Sequence, residues 1–213
     1  MTPQTLYSGA AVLGAAALGL GAVFVAGANS DPFEVCRPAD QMIDVAQVGA
    51  PFALTDETGA RVTDADIVTG PTLVYFGYTF CPDVCPMDNA RNAEAAYLVE
   101  EAGDGTIATV FVSIDPRRDT PEQLARFTDL FHPDMVGLTG TPDEVAAVAE
   151  AYHAYYAPQD PLDDDDAFYL VDHSTFTYLM MPGEGVVDVI GRDVPADAVV
   201  DRAACVAEVA AAG

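Results

Sequence analysis

The chain contains no lysine, and its basic side chains are eight arginines and three histidines, set against 34 aspartates and glutamates. The formal net charge is −26. A surface of that sign repels phosphate backbones, which excludes nucleic-acid binding, and it repels an anionic lipid surface for the same reason. The acids are spread along the chain, so the ordinary account is a solvated surface, as in a salty habitat. Attraction of cations or of a basic partner is the alternative. The four acids Asp163–Asp166 read as a solvated loop tip. Internal repeats and long flexible linkers are also missing. With 213 residues, half of them apolar, the chain is sized for one domain with a tail, and global disorder is excluded.

One long apolar run is present. Gly9 to Ala28 is 20 residues of Gly, Ala, Val, Leu and Phe. As a helix it spans about 30 Å, enough to cross a hydrocarbon core. No Lys or Arg precedes it, and Asn29, Ser30, Asp31 and Glu34 follow, a flank that suits export of the C-terminal side. Residues 1–30 are therefore expected to be an uncleaved transmembrane anchor. The competing reading is a signal segment cut after Ala26-Gly27-Ala28. Either way the rest of the chain lies where disulfides persist.

Asp31 to Gly49 reads as a tether, and residues 50–213 as the folded domain. Strands are expected at Pro51–Thr55, Thr72–Tyr78, Thr106–Ile114, Met135–Leu138, Phe168–Val171, Phe176–Met181 and Val186–Ile190. Helices are expected from Cys85 to Ala102, with Ala90, Ala93, Ala96 and Tyr97 on one face, and from Pro195 to Ala211. Two more begin at capping signals, Thr120-Pro121 with Gln123 and Thr141-Pro142 with Glu144, and run to Phe131 and about Tyr156. Pro182-Gly183 is a turn. The alternation predicts an α/β sandwich with a mixed sheet.

Chemistry concentrates in Phe80-Cys81-Pro82-Asp83-Val84-Cys85-Pro86, which follows a buried strand and opens a helix. A helix N-terminus favours thiolates, and four-residue spacing puts both sulfurs on one face. Such a pair either forms a disulfide or holds a soft metal, and Cu(I) accepts two or three ligands of thiolate and imidazole type. Of the histidines, His132 reads as a helix C-terminal residue and His153 as a packed or surface residue. His173, in Asp172-His173-Ser174 between two apolar strand segments, is expected in a loop or at a strand start, and loops at sheet ends carry sites.

The run from Tyr75 to Pro86 resembles the signature of the Sco/SenC family, membrane-anchored copper proteins that assist assembly of cytochrome c oxidase. Ser113-Ile114-Asp115-Pro116-Arg117-Arg118-Asp119-Thr120-Pro121-Glu122 and Val171-Asp172-His173-Ser174 resemble that family's second and third motifs, in the family's order. The resemblance spans roughly Pro51 to Ala203 and implies a thioredoxin-like fold. It implies copper, Cu(I) or Cu(II), held by Cys81, Cys85 and His173. Asp83 and Asp172 are the nearest carboxylates in sequence, candidates for a supporting partner or an extra ligand to Cu(II). Asp115 and Arg117 need no role beyond a loop before a capped helix.

Cys36 and Cys205 lie outside those motifs. Four cysteines pair in three ways, and if Cys81 and Cys85 act together, Cys36 pairs with Cys205. On this reading the chain is a single-pass protein of a bacterial inner membrane with its domain in the periplasm. It holds one copper ion for the copper-bearing subunit of cytochrome c oxidase and meets other periplasmic copper donors or thiol reductants. The alternatives are a thiol–disulfide oxidoreductase using Cys81 and Cys85, and a copper or redox sensor. The surroundings of the motif do not resemble a peroxiredoxin.

Overall fold

A computed structural model of the chain describes residues 31–39, 41, 43–160 and 168–212. The expected anchor at 1–30 and the acidic run at 163–166 lie outside the described residues. Among the described residues no helix is long and apolar enough to cross a membrane. Residues Met1–Val35 and Cys36–Gly213 separate as two units, and the second is the domain described below.

The chain builds β1 (Ala53–Asp56), β2 (Arg61–Thr63), α1 (Asp64–Ile67), β3 (Thr72–Gly77), α2 (Val84–Ala102), β4 (Ala108–Ser113), α3 (Pro121–Thr128), β5 (Val136–Thr139), α4 (Pro142–Ala151), β6 (Tyr156–Pro158), β7 (Val171–His173), β8 (Thr177–Met181), β9 (Gly185–Ile190) and α5 (Ala196–Ala212). Seven strands form one sheet in the order β2-β1-β5-β4-β3-β8-β9. β3, β4 and β5 are parallel, and antiparallel pairs flank them on both sides. The mixed α/β sheet agrees with the alternation in the sequence. β3 is buried at every residue, as a parallel strand covered on both faces must be. Its last residue, Gly77, is level with Ser113 at the end of β4. The two carboxyl ends therefore deliver their following loops to one place.

Core packing is aromatic and aliphatic. Phe76 packs on Tyr152 and Tyr178 with ring centroids 5.3 and 5.5 Å apart, and Phe111 packs on Phe127 at 4.7 Å. α2 packs on α5, while α3 lies against β5. The buried face of α2 is rotated from the one expected: Ala93 and Ala96 are buried, but Ala90 and Tyr97 are exposed. The positions completing the buried stripe are Asp88, Asn89 and Asn92, polar residues that hydropathy assigns to solvent.

Helix ends follow local chemistry. Thr141 and Glu144 make a full capping box on α4. α4 stops at Ala151, short of the expected Tyr156. His153 takes φ 51°, in the left-handed region, and Ala154 N–H bonds back to Ala149 O. That reversal frees Tyr156–Pro158 to pair with Val171–His173 as a separate two-stranded ribbon. α3 ends at Thr128 rather than Phe131, because its last turn tightens into a Phe131 N–H bond to Thr128 O ahead of Pro133.

Parts of the segment read as a tether are packed on the domain. Val45 and Val48 are buried, Arg37 Nη1 donates to Val187 O at 2.8 Å, and Gly49 N–H donates to Ala151 O at 2.7 Å. Cys36 is joined to Cys205 of α5 by a disulfide closing 169 residues of chain. Constraint of so long a loop in the unfolded chain is worth roughly 5 kcal/mol in the entropy model. The double variant Cys36→Ser/Cys205→Ser is accordingly expected to unfold at lower urea concentration, with roughly that loss. Equal midpoints for variant and parent, with the bond verified by non-reducing peptide mapping, would show that it does not stabilise the fold, and two free thiols on that map would contradict the pairing.

Candidate metal centre

The centre is assembled from two places far apart in sequence. β3 ends at Gly77, the chain turns through Tyr78-Thr79-Phe80, and Cys81 lies just ahead of α2, with Cys85 in its first turn. Asp83 occupies the N-cap position but its side chain makes no capping bond. Instead Cys81 Sγ accepts the Cys85 backbone N–H at 3.4 Å, so a sulfur satisfies a free amide of the helix start. His173, the last residue of β7, brings Nε2 to 3.4 Å from Cys85 Sγ. The ligand atoms of Cys81, Cys85 and His173 all lie within 4.8 Å of one another. Both cysteines are free thiols and buried, Cys85 completely.

The imidazole is oriented for metal binding. Its Nδ1 lies 2.8 Å from the Ser174 carbonyl, which can only accept, so Nδ1 carries the proton and Nε2 presents its lone pair to the sulfurs. The rings of Tyr78 and Tyr75 stand edge-on to it, with centroids at 5.7 and 6.3 Å. The sulfur pair is electrostatically unequal. A hydrogen bond from Cys85, opposed by burial and helped by His173 and the amides of Asp83 and Cys85, pulls the Cys81 thiol down to about 3. Burial, reinforced by the neighbouring Cys81 sulfur, pushes the Cys85 thiol up. The pair gives up one proton readily and holds the other.

The two candidate carboxylates do not join this cluster. Asp83 is exposed at the helix start. Asp172 precedes His173 on a strand, where successive side chains point to opposite faces, and it accepts a hydrogen bond from Gln159 Nε2 at 2.8 Å. His132 is buried beside Tyr97, with Nδ1 accepting the Asp134 N–H and Nε2 3.4 Å from Glu100 Oε1. His153 lies in the turn after α4, its Nε2 3.1 Å from Gln47 O.

The second motif acts as the connector between the other two, a role its sequence context did not reveal. Asp119 accepts from Thr79 N–H, Thr79 Oγ1 and Ser113 Oγ, pinning the cysteine turn to the end of β4. Asp115 accepts the Tyr169 hydroxyl at 2.6 Å and pairs with Arg118, whose guanidinium lies 3.6 Å from the Tyr169 ring and 4.8 Å from that of Phe80. One short loop thereby ties the segment leading into β7 to the turn carrying Cys81. Gly77 is a further requirement. A Cβ there would stand 2.7 Å from Cys85 Sγ and 2.9 Å from Phe111 Cε2, so only glycine leaves room for the sulfur.

Two sulfurs and one imidazole form a soft donor set with three members. It suits Cu(I) better than the four-ligand demand of structural zinc. Gly77→Ala is expected to push the Cys85 sulfur aside, costing about 1–3 kcal/mol of stability by overpacking and lowering soft-metal affinity. Urea unfolding and metal titration of the variant check both, and unchanged affinity would show that the sulfur position is not set from β3.

A family model described as SCO1/SenC matches residues 40–208. The chain is 49% identical over 177 residues to protein SenC of Rhodobacter capsulatus, covering 83% of this chain and 78% of that one. It is 42% identical over 150 residues to the mitochondrial SCO1 homolog of Homo sapiens, covering 68% of this chain but 48% of the human protein. Among solved structures it resembles Arabidopsis thaliana ScoI with copper bound, at 36% identity and TM-score 0.69 over 78% of this chain and 99% of that one. It also resembles Bradyrhizobium japonicum ScoI with copper bound, at 35% identity and TM-score 0.65 over 73% and 97%. With three motifs in order, the matching α/β fold and a family match that takes in Cys81, Cys85 and His173, the chain belongs to the SCO1/SenC family.

Proposed function

We propose that this protein is a copper-binding assembly factor that holds one copper ion through Cys81, Cys85 and His173 and passes it to the dinuclear copper centre of cytochrome c oxidase. The observation that carries the reading is the convergence of two free thiols and one imidazole with its Nε2 lone pair presented, all within 4.8 Å. Structures of relatives above one third identical hold copper. Transfer by exchange of thiolate ligands suits a site of few donors, because an incoming sulfur or imidazole can join before a resident ligand leaves. Residues 1–30 are proposed to anchor the domain on the outer face of a bacterial inner membrane, from their apolar run and acidic flank.

A second activity at the same residues is favoured by the unequal thiols. Cys81, held as thiolate, is the nucleophile a thiol–disulfide exchange needs, and Cys85, one helical turn on, is placed to resolve the mixed disulfide. The partner's disulfide would be reduced as a Cys81–Cys85 disulfide forms. The same oxidation removes both sulfur ligands, so copper loading and thiol state are linked.

Anaerobic copper titration of the domain tests the assignment. One Cu(I) per reduced chain is expected, and Cys81→Ser, Cys85→Ser and His173→Ala should each weaken binding at least about 100-fold, beyond the loss from removing a partner of a ligand. Oxidation to a verified Cys81–Cys85 disulfide should abolish binding, and reduction should restore it. Because burial holds the Cys85 proton, copper must displace it. Affinity should therefore rise with pH across the neutral range, with about one proton released per copper in weakly buffered solution. Full affinity in His173→Ala, or equal affinity of oxidised and reduced chains, would overturn the three-ligand site.

A further inference from the structure

Beneath the centre lies a buried polar group that copper ligation does not use. Asp88 sits three residues after Cys85 on the inward face of α2 and is 3% exposed. A carboxylate in that position is costly unless it is paired. Its Oδ2 accepts the hydroxyl of Tyr75 at 2.9 Å, and its Oδ1 lies 3.7 Å from Nε of Arg192, which reaches in from the surface. Tyr75 is fully buried in the middle of β3. Its ring edge and the Cys85 sulfur crowd the same point beside Gly77, where a Cβ would stand 3.0 Å from Tyr75 Cε1 and 2.7 Å from Cys85 Sγ. The Tyr75 ring therefore lies beside the Cys85 sulfur, and its hydroxyl ends on a residue one turn further along the same helix.

A phenol has one proton to give. In this structure it goes to Asp88, so the oxygen presents only lone pairs toward Cys85. A thiolate that accepts no hydrogen bond at this side keeps its electron density for the metal, and hydrogen bonding at a cysteine sulfur is one of the levers that set a copper site's potential. Without an acceptor at residue 88 the hydroxyl is free to turn toward the Cys85 sulfur beside its ring. A hydrogen bond there withdraws density from the thiolate and disfavours Cu(II) relative to Cu(I).

We propose that Tyr75 and Asp88 are positioning residues for Cys85: Asp88 holds the Tyr75 hydroxyl proton away from the sulfur and so keeps Cys85 a strong electron donor to copper. This rests on the reading that Cys81, Cys85 and His173 are the copper ligands. No proton or electron is transferred; only the direction of one hydrogen bond is at stake.

The test is the thiolate-to-Cu(II) charge-transfer spectrum and the ratio of Cu(I) to Cu(II) affinity in four variants. Asp88→Leu removes the acceptor. It should move the band to higher energy and raise the ratio about tenfold, which is about 59 mV for one electron. Asp88→Ala removes the same acceptor with less bulk and serves if leucine does not fit the pocket. Asp88→Asn keeps a carbonyl acceptor while losing the charge, and it should leave band and ratio as in the parent. Tyr75→Phe should also leave them in place, and Tyr75→Phe/Asp88→Leu should show none of the Asp88→Leu shift.

A shift in Asp88→Asn equal to that in Asp88→Leu would overturn the proposal, because charge alone would then be acting. Persistence of the shift in the Tyr75→Phe background would overturn it for the same reason. A parent with no thiolate-to-copper band would overturn the ligand assignment and this proposal together. A parent band that no Asp88 variant moves would overturn this proposal alone.

Discussion

A contact of 3.4 Å between Cys85 Sγ and His173 Nε2, made across 88 residues of chain, is the constraint that the rest of the domain is arranged to meet. Neither partner holds the other in place, since a sulfur–imidazole contact is too weak to organise loops. The position of each is set by its own support. The sulfur is placed by a fully buried strand, a glycine that clears space and a helix that begins one residue before it. The imidazole is placed by the ribbon of β6 and β7, in which Tyr156 is level with His173. Asp115, Arg118 and Asp119 then join the two supports. Several moderate interactions thus fix one distance, as a site held by its supporting residues requires.

The parts legible in the sequence were those with a strong local signal. β3 and β4 announce themselves as β-branched and aromatic runs, and Thr141 with Glu144 marks a helix start. Cys81, Cys85 and His173 were selected by residue type and motif, and the fold brings all three together. What was illegible has a common physical origin, in that it depends on long-range pairing. The inward face of α2 is partly polar because Asp88, Asn89 and Asn92 find partners on β3, on α2 itself and on β8. Periodicity of apolar residues cannot show such a face. β6 is three residues long and exists only because β7 pairs with it. The connector role of Asp115 and Asp119 was invisible because their partners Tyr169 and Thr79 lie 54 and 40 residues away.

The charge distribution has an internal logic as well. Positive charge is scarce, and much of it is spent inside. Arg202 pairs with the fully buried Asp188, Arg118 with Asp115, and Arg91 donates to the carbonyls of Gly191 and Val194 and to Thr177. Arginine suits these positions because its planar, weakly hydrated fork makes several directed bonds at once. The surface that remains is overwhelmingly acidic, and its self-repulsion is screened as ionic strength rises.

The disulfide between Cys36 and Cys205 also constrains the order of events when the chain is made. Cys36 opens the compact unit and Cys205 lies in its last helix, so the bond cannot close until the whole unit has been synthesised. Throughout that interval Cys36 is an unpaired thiol on the same nascent chain as Cys81 and Cys85. Cys85 is buried where its helix α2 meets β3, both encoded by residue 102, so docking of the two would take one wrong partner away before Cys205 exists. Docking of α2 on β3 before residue 205 is made would thus favour the native connectivity. A chain slow to make that contact would partition into mispaired species while still being born.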